Sequence, residues 1–94
     1  MTSGSQGPVP FMSMYQPEQV RLFIKPFCPW CIEAEEWLDS NGIHHETLDV
    51  TSDLQAWDEM VRLSSQSRVP AIEVDGKVLA DFGADELAQF WSGL

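Results

Sequence analysis

The spacing of apolar residues along this chain changes period several times, and each change marks an element. In "QVRLFIK", Gln19 to Lys25, Val20, Leu22 and Ile24 share one face while Phe23 adds bulk to the other, which predicts a strand covered on both sides. From Pro29 the period lengthens. Trp30, Ala34, Trp37 and Leu38 recur at helical spacing, Glu33, Glu35, Glu36 and Asp39 take the outer face, and Pro29 suits a first helical turn. Asn41-Gly42 supplies the stop. "HHETLDV", His44 to Val50, reads as a second strand. "SDLQ" then offers a capping box with Ser52 as cap and Gln55 three residues on, opening a helix with Leu54, Trp57, Met60, Val61 and Ser64 on one stripe. "VPAIEVDGKVLADF" is two short runs of strand formers around Asp75-Gly76, a strong hairpin signal. A closing helix spans Asp85 to Trp91.

The order is therefore strand, helix, strand, helix, hairpin, helix. Strands joined through a helix lie parallel, and a hairpin adds antiparallel strands, so the expected α/β domain has a four-stranded mixed sheet flanked by three helices. Several α/β architectures share these ingredients. Residues 1–17, "MTSGSQGPVPFMSMYQP", mix Gly, Ser and three prolines without either period, and are expected to form a flexible N-terminal tail from which Phe11, Met12, Met14 and Tyr15 could rest on the domain. Residues 18–94 are the expected folded domain.

Ninety-four residues, 44% of them apolar and four of them Trp, are enough for one core and too few for two. Fifteen acidic residues stand against five basic ones, a formal net charge of −10, so a phosphate backbone meets repulsion and nucleic acid is not an expected partner. Apolar residues nowhere run for about 18 positions, the length a membrane span requires, and no Lys or Arg precedes Arg21, which argues against an export leader. No membrane association and a cytoplasmic location are expected.

The two cysteines of the chain, Cys28 and Cys31, stand together in "KPFCPWC". In a reducing compartment such a pair is more often catalytic or metal-ligating than a static staple. A zinc site needs about four ligands, no second cysteine pair exists, and His44 and His45, adjacent in a strand, would point to opposite faces; no metal is expected. If the helix begins at the motif, Cys28 is its cap and Cys31 lies one turn inside, so a Cys28–Cys31 disulfide is geometrically open. Backbone N–H groups at a helix start, with Lys25 nearby, favour a thiolate. For a thiol in such a place, moving the pKa from about 8.5 to about 5 raises the thiolate fraction at neutral pH roughly thirty-fold. Nucleophilicity falls by a comparable factor, and the gain is in leaving-group ability. These considerations assign Cys28, at the more exposed tip, as nucleophile and Cys31, sheltered beside Ala34 and Leu38, as resolving thiol. Trp30 reads equally as a surface for a partner disulfide and as a packing residue.

With these residues in place, the chain from about Gln19 to Trp91 resembles the glutaredoxins. "KPFCPWC" is similar to the family's run of Lys, two residues, then Cys-Pro-aromatic-Cys, and "RVP", Arg68 to Pro70, is similar to its Val-Pro after the second helix. The resemblance implies a thioredoxin-like fold, thiol–disulfide oxidoreductase activity, glutathione as co-substrate rather than a permanently bound cofactor, and disulfides of proteins or small molecules as substrates. It implies that Pro70 follows a cis bond and faces the cysteine, that the backbone of Val69 meets the cysteinyl part of glutathione, that Lys25 and Arg68 meet carboxylates, that Trp30 flanks the substrate and that Asp85 holds the amine. A monomer is expected.

One stretch departs from the pattern. Glutathione-dependent members follow the hairpin with Gly-Gly, a residue, and one or two aspartates, whereas this chain has "ADFGADEL". Aligned without a gap from Pro70, Ala80 and Asp81 replace the glycines; shifted by two, Gly83 and Asp85 match but Phe82 falls on the first glycine. The ungapped version resembles redoxins with Gly-Phe at Asp81 and Phe82, several of which draw electrons from thioredoxin reductase. That reductase is therefore the alternative electron donor. A glutathione-dependent [2Fe–2S] binding module is a further alternative, which the proline after Cys28 disfavours among members of the family.

Overall fold

The computed structural model describes residues 16–94; nearly all of the expected N-terminal tail, including Phe11, Met12, Met14 and Tyr15, lies outside the described residues. Seven elements follow in the expected order: β1 (Val20–Ile24), α1 (Pro29–Ser40), β2 (Glu46–Asp49), α2 (Leu54–Ser64), β3 (Ala71–Val74), β4 (Lys77–Ala80) and α3 (Ala84–Ser92). They build a thioredoxin-like α/β fold, a four-stranded sheet in the order β2-β1-β3-β4. β1 and β2 run parallel, with Phe23 opposite Leu48, as the crossover through α1 demands. β3 is antiparallel to both β1 and β4. At the β3–β4 turn Asp75 (φ 49°) and Gly76 (φ 90°) both adopt the left-handed conformation that a two-residue hairpin of this hand requires.

Alternation along β1 sends side chains to two cores. Val20 and Leu22 join Ala34 and Leu38 of α1, Ile72 and Val74 of β3, and Leu87 and Trp91 of α3. Phe23, on the other face, packs with Val50, Ala56 and Met60 of α2, and Ala71. Arg21 also points to the α2 face, where it binds Glu73 of β3 and Glu59 of α2, and Arg62 reaches the same Glu59 at 3.0 Å. The Arg21–Glu59 pair fastens α2 to the sheet beside its small apolar contact.

Four sequence expectations are corrected in detail. β2 is shorter than His44–Val50. His44 and His45 precede it, and the His45 ring is engaged with the Ile43 carbonyl at 3.1 Å. The cap of α2 is Asp53, whose carboxylate accepts from the Gln55 and Ala56 N–H groups; Ser52 instead donates to the Asp49 carbonyl. A carboxylate at the cap also suits the positive end of the helix, so Asp53 outcompetes its neighbour. The buried stripe of α2 is Ala56 and Met60, while Leu54 is 81% and Trp57 38% exposed. On α1 the buried positions are Cys31, Ala34 and Leu38, and Trp30 lies outside this row.

Candidate active site

β1 ends at the centre of the sheet, and four residues, Lys25 to Cys28, carry the chain from it into α1. The third of these, Phe27, has φ 62° and a side chain 96% exposed. A bulky residue in the left-handed region is uncommon and costs on the order of 1–3 kcal/mol. The reversal sets Cys28 at the cap of α1 with Pro29 at the first helical position. Its Sγ accepts the Cys31 N–H at 3.3 Å, and its carbonyl accepts the Ile32 N–H at 3.0 Å. Both cysteines are free thiols.

The expected contrast in exposure between them is not present, since Cys28 is 5% and Cys31 2% exposed. They differ in what they border. Cys28 lines a groove of about 580 Å³ and Cys31 does not. Burial pushes the Cys31 thiol up to about 12; hydrogen bonding to and the charge of the Cys28 sulfur add to this, while the Lys25 backbone N–H and ammonium oppose it. At neutral pH the inner sulfur keeps its proton beside the outer one.

Around Cys28 the groove brings together residues from distant parts of the chain: Lys25 and Phe27 before the helix, Pro29 and Trp30 in its first turn, Val50 and Thr51 after β2, Trp57 on α2, Ser67, Arg68 and Val69 before β3, and Asp81 after β4. The Val69–Pro70 peptide is cis, as the family resemblance implied. Pro70 itself is buried, and its carbonyl accepts the Asp81 N–H at 2.9 Å. An adjoining hollow of about 460 Å³ shares Trp30, Arg68, Val69 and Asp81 with the groove and adds Phe82, Gly83 and Glu86. Trp30, 59% exposed, lies against Gly83, where an added Cβ would meet its Cδ1 at 3.6 Å.

Of the residues picked from sequence, Lys25, Cys28, Trp30, Arg68 and Val69 meet at this groove, while Cys31 and Pro70 are buried and outside its lining. Asp85 does not. It is exposed in the first turn of α3, outside the lining of both depressions. The acids in the hollow are Asp81 and Glu86, and Glu86 Oε1 accepts the Gly83 N–H at 2.8 Å. Sequence reasoning missed Glu86, although a Glu three residues after a helix cap is a capping-box signal. It also missed the ion pair between Arg68 and Asp81, 3.5 Å apart. Asp81 has φ 58°, so the loop adopts a glycine-type conformation at the position the ungapped reading gives to a family glycine, while Phe82 beside it is buried in the larger core.

Comparison with known proteins agrees with this geometry. The glutaredoxin family pattern matches residues 20–79. A glutaredoxin-like 8.6 kDa protein from the rubredoxin operon of Clostridium pasteurianum is 35% identical over 68 residues, covering 72% of this chain and 91% of that protein. Glutaredoxin 3 of Escherichia coli is 29% identical over 68 residues, covering 72% of this chain and 80% of its own. Among solved structures, the thioredoxin-like protein BC3987 superposes with a TM-score of 0.70 at 28% identity, covering 76% of this chain and 97% of that one. With its Cys-Pro-Trp-Cys pair at the start of α1 and a cis-proline following the groove-lining Val69, the chain belongs to the glutaredoxin family and is a glutaredoxin-like thiol–disulfide oxidoreductase.

Proposed function

We propose that this oxidoreductase uses Cys28 as nucleophile and Cys31 as resolving thiol, and that glutathione is its reductant. In the first step the Cys28 thiolate attacks one sulfur of a substrate disulfide, and the other substrate sulfur leaves as a thiolate and takes up a proton. The attacked sulfur is now joined to Cys28 in a mixed disulfide. Because the Cys28 sulfur no longer carries charge, the part of Cys31's upward push that came from it disappears, and Cys31 loses its proton more readily. Cys31 then attacks the Cys28 sulfur and expels the attached substrate sulfur as a thiolate, which takes up a proton, leaving the Cys28–Cys31 disulfide. Two glutathione molecules restore the dithiol and leave as one glutathione disulfide, so two electrons pass from glutathione to the substrate.

The observation that carries the choice of glutathione is the groove itself. It lies in the size range of small-molecule sites, it opens on Cys28, and it contains two cations, Lys25 and Arg68, in a chain of net charge −10. A tripeptide with two carboxylates fits that placement. Glu86 and Asp81, rather than Asp85, are the acids available to an ammonium in the adjoining hollow.

A specific observation favours the second donor, thioredoxin reductase. Ala80 and Asp81 carry side chains where glutathione-dependent relatives bring bare backbone to the peptide. The test is to give the oxidised protein each donor system separately, with a small disulfide substrate, and follow NADPH consumption. Turnover with glutathione and glutathione reductase is expected. Turnover with thioredoxin reductase alone, and none with glutathione, overturns the proposal.

A further inference from the structure

We infer that Asp81 sets substrate preference by occupying Arg68, so that an anionic ligand must compete with the protein's own carboxylate to use that cation. The inference rests on the glutathione reading above, which it refines. Arg68 and Asp81 stand in the wall shared by the groove and the hollow. Their single contact, Nη1 to Oδ2 at 3.5 Å, joins side chains 77% and 55% exposed, too open to contribute much to folding.

Both backbones are nevertheless held. The Arg68 N–H donates to Gln66 Oε1 at 2.7 Å, and the Arg68 carbonyl accepts from Gln66 Nε2 at 3.0 Å. The Asp81 N–H is fixed on the Pro70 carbonyl at 2.9 Å, between β4 and the buried Phe82. The two charged ends are thus presented to each other across the mouth of the site. With φ 58°, the loop at Asp81 would accept glycine without steric cost; its shape does not require a carboxylate. What the aspartate adds is a negative charge that cancels one of the two cations lining the groove.

A ligand carboxylate approaching Arg68 gains a guanidinium that can bind it in a bidentate manner, but it meets Asp81 a few ångströms away. Between charges this exposed, one such repulsion is worth a factor of about three to ten in affinity. A disulfide or thiol without a carboxylate near its sulfur is spared most of that penalty. Asp81 thereby shifts the enzyme away from anionic thiols and toward less anionic ones.

The test follows the stoichiometric reduction of the Cys28–Cys31 disulfide in the full chain, by stopped flow, with glutathione and with its diethyl ester, in which both carboxylates are blocked. Asp81→Asn and Asp81→Gly should each raise the ratio of the glutathione rate to the ester rate by about three- to ten-fold. Adding Arg68→Gln should remove about half of that gain or more, as coupled charges require. A ratio that stays level or falls in both Asp81 variants overturns the inference, a fall meaning that Asp81 holds the ammonium. Failure of the glutathione reading is seen separately, in the donor assay on the unsubstituted chain, because reduction by excess thiol proceeds whichever reductase serves it.

Discussion

The two faces of the sheet are built to different standards. On the α1 and α3 face, ten buried residues form one cluster that includes both Leu38 of the cysteine-bearing helix and Trp91 of the last, with Trp37 and Trp91 rings 5.6 Å apart. The α2 face has five buried residues, and its helix leaves Leu54 largely in solvent and Trp57 38% exposed. The difference teaches where precision is needed. The helix that positions Cys28 and Cys31 is locked by the larger core, whereas α2 is fastened by a smaller contact and by ions, and lends one flank to the groove.

The largest test of this contrast is chemical. Both sulfurs belong to the well-packed side, yet only one opens on the groove, so Cys28→Ser should lower turnover at least about a thousand-fold. Cys31→Ser should keep attack on a glutathionylated thiol and accumulate a mixed disulfide visible by intact-mass spectrometry. Activity in Cys28→Ser combined with none in Cys31→Ser would reverse the roles.

Next comes packing. Leu38→Ala on the larger core should destabilise by about 3–5 kcal/mol, and Met60→Ala, in the smaller core where neighbours can collapse, by about 2–3 kcal/mol. Urea titration of both variants measures the difference. A larger loss at Met60 would break the ranking of the two faces.

The smallest effect concerns the ions. The hydrogen bond from Arg21 holds the Glu59 carboxyl below its ordinary value, and the charges of Arg21 and Arg62 reinforce this against some desolvation. A carboxylate depressed on folding stabilises the protein above its unfolded pKa, and that contribution is lost as pH falls through the folded one. Glu59→Gln should therefore cost about 0.5–1 kcal/mol near neutral pH, and the variant should converge on the parent as the solution is acidified below about pH 4. Thermal melts across that range follow the convergence. A constant gap at all pH values would mean that Glu59 acts through packing and not through charge.

How much of this was legible beforehand follows from the range of each interaction. Periodicity and turn chemistry found every element, because a two-sided strand such as Val20–Ile24 and a turn such as Asp75-Gly76 are encoded in adjacent residues. The cap of α2 was misplaced by one residue because Ser52 and Asp53 are both good cap formers, and the choice was made by helix electrostatics. The stripe on α2 was misread for a related reason: Ala56 is small and carries little apolar signal, yet it is the residue that lets the helix approach the sheet. At the site, Cys28, Cys31, Lys25 and Val69 were legible from one contiguous motif and one resemblance. The Arg68 and Asp81 pair was not, since thirteen positions separate two loops that meet only once the hairpin has formed.

The hairpin tip has a practical consequence for handling the molecule. Asp75 accepts the backbone N–H groups of Glu18 and Gln19, at 3.2 and 2.9 Å, so the entrance to β1 is tied to the β3–β4 turn. The thiols follow the other end of β1, five residues and about 17 Å further along. An affinity handle, a fluorophore or a solid support joined ahead of Glu18 therefore attaches at the pole remote from Cys28. Immobilised that way, the protein presents its reactive end to solution, and an electrode or bead coated with it should work as an oriented layer.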